Sequence, residues 1–357
     1  MQPNKFKITI LAVSLFMGLN VAAHAETNWS APANFTADGT TTEGVYEPIA
    51  TDKITKEWKI CALFPDMHHA YWLAANYGII SEAERDKVQL DMFQANGYTN
   101  LDKQMAQMDN CITQQYDAII LGAISDQGTW AGIHRAKRAG IPVIDFVNGV
   151  TSEDISAHAR VSFHDLAVQT AKYLIDHSDG EKIKVGFFPG PEGANWSDQA
   201  VIGFNKTIEG TNVEVIVTRR ADTELNTQLN LIQDALLAYP DMNAIVGVDV
   251  AGAAGSVAVR NLKKADSVKV YAFDIDPQVY ENILNGTAVA SPTDFTVIQG
   301  KMAVDLAVRL LEGETLKAKM VGPIPEVIDI KNAKTVPHDD MFAPSNFSAT
   351  YSYAPAK

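Results

Sequence analysis

The sequence predicts an α/β protein built as two doubly wound parallel-sheet lobes joined by a hinge. Three observations carry that expectation. Short apolar, β-branched runs alternate with helical patterns along most of the chain. The runs are apolar on both faces, as strands covered by helices on both sides must be. They also fall into two groups of four, separated near residues 148–154. Strand–helix–strand alternation of this kind gives right-handed crossovers and parallel sheets.

The elements follow in order. Residues 1–25 carry Lys5 and Lys7, an apolar stretch at 8–19 too short to span a bilayer, and a small-x-small "AHA" before Glu26. That is the pattern of a secretory signal peptide cleaved after Ala25, so the chain is expected to be periplasmic. Residues 26–54 are polar with scattered aromatics and read as an N-terminal arm. In the first group, strands are expected at 58–64, 88–93, 118–123 and 142–147, with helices at 71–85, 101–113 and 131–139. In the second, strands are expected at 183–188, 213–218, 244–248 and 268–273, with helices at 166–177, 197–208, 226–238 and 253–262. A helix at 298–311 and a short strand at 326–330 remain. We assign residues 55–149 with 296–325 to the N-terminal lobe, 150–295 with 326–345 to the C-terminal lobe, and 346–357 to a tail.

The net charge of −14 becomes −16 once Lys5 and Lys7 leave with the signal peptide. Such a charge repels nucleic acid and anionic lipid headgroups. No later apolar run is long enough for a membrane span. Cys61 and Cys111 are the two cysteines, and an even count in an exported chain points to a disulfide, two buried thiols being the alternative.

Ligands of doubly wound sheets bind beyond the C-terminal ends of the strands, so two facing lobes make a cleft. Tyr71 and Trp72 stand where the first strand gives way to its helix. Neighbours in a helix point about 100° apart, so one buried stripe rarely claims both; a cleft role explains the pair. Tyr98 and Ser125 follow later strands of the first lobe. Phe163, Trp196, Asp249 and Asp274 stand at the corresponding places of the second, and Asp294 is expected in a hinge crossover. The two aspartates that end strands read equally as helix N-caps. The loop "GPEGANWSDQAVIGF" holds no Arg to grip sugar hydroxyls bidentately, which favours a small, partly apolar ligand. His68 and His69 have no matching Cys, His or Glu spacing and read as polar loop residues, with no metal expected. No nucleotide loop, GxSxG, HExxH or P-loop is present, so neither a cofactor nor an enzyme activity is expected.

"DAIILGA", "PVIDFVN", "AYPDMNAIVGVDVAGAAGSVAVRNL" and "VYAFDIDPQVYENILNGTAVAS" resemble motifs of the type I periplasmic binding proteins, the ribose- and galactose-binding class, over roughly residues 56–332. More narrowly, "WKICALFPDMHHAYWLAANYG", "ANGYTNLDKQMAQMDNC", "FVNGV" and "FPGPEG" resemble the TorT family. That resemblance implies a sensor of trimethylamine N-oxide that signals to a membrane sensor histidine kinase of the TorS type. It also implies that Cys61 pairs with Cys111 and that Tyr71 and Trp72 help box a trimethylammonium-like group. The chain departs from the family pattern in having Phe163 and His164 where a Trp is usual, and Asp274 where a Tyr is. The solute-binding subunit of a sugar-type transporter is the alternative function.

Overall fold

The computed structural model describes residues 29–355; the signal-peptide segment lies outside them. The chain runs β1 (Ala31–Ala37), β2 (Thr40–Tyr46), β3 (Lys59–Phe64), α1 (Ala70–Asp86), β4 (Gln89–Gln94), α2 (Leu101–Thr113), β5 (Ala118–Leu121), α3 (Asp126–Arg138), β6 (Val143–Phe146) and β7 (Ala157–Ala159). It continues through α4 (Phe163–Asp176), β8 (Ile183–Phe188), α5 (Asn195–Ile208), β9 (Val213–Thr218), α6 (Leu225–Ala238), β10 (Ala244–Gly247), α7 (Asp249–Asn261), β11 (Lys269–Ala272), α8 (Pro277–Leu284) and β12 (Ala290–Thr293). It closes with α9 (Thr296–Leu311), β13 (Met320–Pro323), β14 (Glu326–Asp329), α10 (His338–Met341) and β15 (Ser352–Tyr353).

Among the described residues these strands form two sheets, ordered β15-β4-β3-β5-β6-β7-β13-β1-β2 and β14-β12-β11-β10-β8-β9. The parallel core of each winds outward from its first strand in both directions, so each has a switch point, between β3 and β5 and between β8 and β10. The expected fold class is therefore the observed one. Both switch points open toward the space between the lobes, because the residues that follow β3, β6, β8, β10 and β11 line one cavity there.

Three expected boundaries differ. Residues 31–46, read as an arm, form a hairpin that extends the first sheet through β13. Its alternation of buried Ala31, Ala33 and Phe35 is carried mostly by alanine, which weakens the apolar signal. The Asp38-Gly39 pair, both at positive φ, supplies the tight turn. The lobe boundary expected at 149/150 precedes β7, a three-residue strand that pairs with both β6 and β13 of the first sheet. The tail at 346–357 holds β15, which pairs antiparallel with β4, and the Asn76 amide brackets Thr350 through bonds of 2.9 Å to its N–H and its carbonyl.

The hairpin docks on a buried charge cluster. Trp29 Nε1 donates to Glu82 at 2.6 Å, Tyr46 donates to Asp305, and Arg85 and Arg309 pair with Glu82 and Asp305 at 2.6 Å each. Asp86 faces Arg85 at 2.8 Å. Burial pushes the Glu82 carboxyl up to about 7, and burial with the neighbouring Glu82 charge pushes Asp86 up to about 8. Carboxyls with raised folded-state pKa values hold protons that the unfolded chain releases, so stability falls as pH rises from about 4 to 8. We expect the unfolding midpoint of the ligand-free protein to be higher near pH 5.5 than near pH 8, each group contributing at most about 1.4 kcal/mol per pH unit. A midpoint that rises over that window would contradict it.

Helix α1, which carries Tyr71 and Trp72, crosses α9 at a pair of glycines. A Cβ on Gly78 would run into the Val297 carbonyl, and one on Gly300 would lie 2.7 Å from the Ala75 carbonyl. These neighbours are backbone and cannot rotate away. Gly78→Ala should therefore cost about 2–3 kcal/mol of stability, read by urea denaturation; an unchanged midpoint would show that the crossing yields.

Candidate ligand-binding site

The turn after β3 is set by Asp66, whose Oδ1 accepts the backbone N–H of His68 at 2.6 Å and that of His69 at 3.4 Å. It thereby starts α1 with Tyr71 and Trp72 in the first turn. Both are buried because each faces a different environment. The Trp72 ring packs edge-on to Phe64 and Phe146 with its face over Gly122, where a Cβ would lie 3.1 Å from the ring. Tyr71 sits edge-on to Trp72 at 5.6 Å, and its hydroxyl donates to Asp294 at 2.5 Å. From the same lobe come Tyr98 and Asn148, joined by a 3.0 Å bond, with Asn148 also donating to the Ala123 carbonyl at 2.7 Å.

The second lobe supplies the opposite wall. Trp196 lies over Gly190, which has φ 100° and no room for a side chain. It packs against Phe163 at 5.6 Å and reaches across the cleft to Tyr98 at 5.9 Å. Its Nε1 is buried and makes no hydrogen bond of standard geometry. Asp249 opens α7, and its own N–H donates to Asp274 Oδ1 at 2.8 Å. With His69, Thr223, Val248 and Val250, these residues line one small cavity of about 30 Å³. Five aromatic rings, two carboxyls and one histidine line it, with no Lys or Arg among the described lining residues.

The electrostatics set two buried carboxyls beside one protonated histidine. Burial pushes Asp249 up to about 7; burial, then the charges of Asp249 and Asp294, raise Asp274 well above the usual carboxylate range. Asp276, behind them, is raised by burial as well. His69 goes the other way: its hydrogen bond to Asp66, with Nε2 3.2 Å from Oδ2, lifts it to about 9. Uncompensated buried carboxylates are costly, so burial favours the protonated forms of Asp249 and Asp274.

Of the residues predicted for the cleft, Tyr71, Trp72, Tyr98, Phe163, Trp196, Asp249 and Asp274 line this cavity together. Ser125 does not; its hydroxyl caps α3 by accepting the Gly128 N–H. Asp294 lies behind Tyr71 at the hinge. His164 pairs with Asp165 at 2.8 Å outside the cavity. Sequence reasoning missed His69, Asn148 and Thr223. An Asn after a strand reads as turn chemistry, yet its place at a strand end was the available signal. Cys61 on β3 and Cys111 in the last turn of α2 form the expected disulfide, with Cα atoms 6.2 Å apart.

The chain matches the periplasmic binding protein domain family over residues 60–315. It is 30% identical to the periplasmic protein TorT of Escherichia coli (strain K12), over 97% of each chain. The crystal structure of an ABC transporter solute binding protein from Bradyrhizobium sp. BTAi1 with bound bis-tris is 38% identical over 90% of this chain and 98% of that one, with a TM-score of 0.77. TorT in complex with the TorS sensor domain and trimethylamine N-oxide is 26% identical over 82% of this chain and 99% of that one, with a TM-score of 0.73. Among the described residues no helix is long and apolar enough to cross a membrane. The chain belongs to the type I periplasmic binding proteins and, within them, to the TorT family, whose members bind ligands and are not enzymes.

Proposed function

We propose that the protein is exported to the periplasm, with its signal peptide cleaved after Ala25. There it closes its lobes on trimethylamine N-oxide or a related small amine and passes occupancy to a membrane sensor histidine kinase of the TorS type. The carrying observation is one cavity that combines five aromatic rings, two buried carboxyls and a buried indole N–H that makes no hydrogen bond of standard geometry. Aromatic faces attract methylated ammonium groups, the carboxyls balance positive charge, and the indole N–H suits an acceptor oxygen such as that of an amine N-oxide. The kinase partner rests on the TorS–TorT complexes among the structural relatives.

The second reading, a transporter's solute-binding subunit, is favoured by the 38% identical Bradyrhizobium protein. The bis-tris in that structure is itself a tertiary amine, so both readings share an amine-derived ligand. Titration calorimetry against trimethylamine N-oxide, trimethylamine, choline, betaine, bis-tris and ribose tests the ligand class, with Trp72 and Trp196 fluorescence as a second readout. We expect saturable binding of amines and none of ribose; tight ribose binding with no amine response would reject the proposal. Co-elution with a TorS-type sensor domain then separates the two readings.

A further inference from the structure

The Tyr71 hydroxyl points away from the cavity into a buried hydrogen-bond chain that runs through the hinge. Its acceptor, Asp294 Oδ2, also accepts Gln299 Nε2 at 2.7 Å, while Asp294 Oδ1 accepts Thr296 Oγ1 at 2.9 Å. Gln299 donates again to the Asp294 carbonyl at 2.9 Å, and its Oε1 accepts the Val161 N–H at 3.2 Å. Tyr71, Asp294, Thr296 and Gln299 are all buried. Val161 belongs to the first crossover between the lobes and Asp294 to the second. Arg160, beside Val161, donates its N–H to the Val321 carbonyl of β13 at 2.9 Å, just ahead of the third. Next to Asp294, Phe295 holds a left-handed φ of 51°, a conformation that a bulky residue keeps only when its surroundings enforce it.

We infer that Asp294 is a positioning residue that couples the ligand cavity to the hinge, acting through Tyr71 and Gln299 and not on the ligand itself. A ring in the cavity wall and two crossover segments share one carboxylate. A hinge rotation that turns the backbone at 294–295 therefore moves the acceptor that fixes the Tyr71 ring. A ligand resting on that ring, in turn, favours the hinge setting in which the bond is made. The functional sense of this coupling rests on the proposed ligand site; the coupling itself does not, and it is measured without ligand.

The test follows amide hydrogen exchange at Val161 in the full mature chain without ligand. Tyr71→Phe keeps the ring and removes the hydroxyl. Asp294→Asn alters the shared acceptor, and Ser291→Ala removes a buried hydroxyl that donates to the Asp274 carbonyl at 2.7 Å, off the path. We expect Tyr71→Phe and Asp294→Asn to speed exchange at Val161 by tenfold or more, and Ser291→Ala to leave it within twofold. Unchanged exchange in Tyr71→Phe, or equal acceleration in all three, would overturn the coupling. Should Asp294→Asn fail to fold, the contrast between Tyr71→Phe and Ser291→Ala decides. Trimethylamine N-oxide and bis-tris are titrated into the wild type in parallel: absence of binding to both counts against the ligand reading, whereas the exchange result stands alone.

Discussion

Asp274→Asn should weaken binding of a fixed-charge probe such as tetramethylammonium by about 3 kcal/mol, roughly a hundredfold, with little effect on the fold. The substitution is close to isosteric. Asn Oδ1 can still accept the Asp249 N–H that Asp274 accepts at 2.8 Å, so the turn into α7 is kept and only the capacity for negative charge is lost. The loss is large because the group is buried: a cation desolvated between aromatic rings finds part of its compensation in this carboxyl, and water cannot replace it. Calorimetry on both proteins checks the prediction. Equal affinities would place the charge-bearing contact elsewhere, with Asp249 the first candidate.

Replacing Cys61 and Cys111 together by alanine should lower the free energy of unfolding by about 4 kcal/mol, the chain-entropy value for a bridge of this loop length. The residues are 50 apart in sequence, and both are fully buried between β3 and α2. Because β3 leads directly into the turn that carries Tyr71 and Trp72, the variant should also unfold more readily with denaturant near the cleft. Chemical denaturation of the variant against the oxidised wild type measures the difference; a change below about 1 kcal/mol would mean that the denatured chain is already constrained there.

How far the sequence reports the site depends on the kind of signal each residue leaves. Strands buried on both faces, such as β3 and β10, write continuous apolar runs, and their order fixes where their C-terminal ends lie. Tyr71, Trp72 and Trp196 were legible because large aromatics at strand ends have few structural explanations. Asp249 and Asp274 were ambiguous because an acidic residue there serves equally as a cap; only the shared cavity brings them together. Ser125 shows the converse, a strand-end hydroxyl that does cap its helix. The β1–β2 hairpin escaped notice because alanines carried most of its buried face, and β7 because three residues make too short a run. His69 could not be read at all. Its partners Asp66 and Glu224 are 3.2 and 3.9 Å away, but Glu224 comes from the other lobe, and no local spacing encodes it.

The cavity should take a cation against carboxyls that carry protons when it is empty. The most direct measurement is the number of protons exchanged on binding tetramethylammonium near pH 7, from calorimetry in two buffers of different ionisation enthalpy. Asp249 is pushed up to about 7 and Asp274 is raised by the same burial, so a fixed positive charge should drive protons off, and affinity should rise with pH through this range. Net proton release on binding is the result this account predicts. Proton uptake, or no binding of tetramethylammonium by a protein that binds ribose, would contradict it.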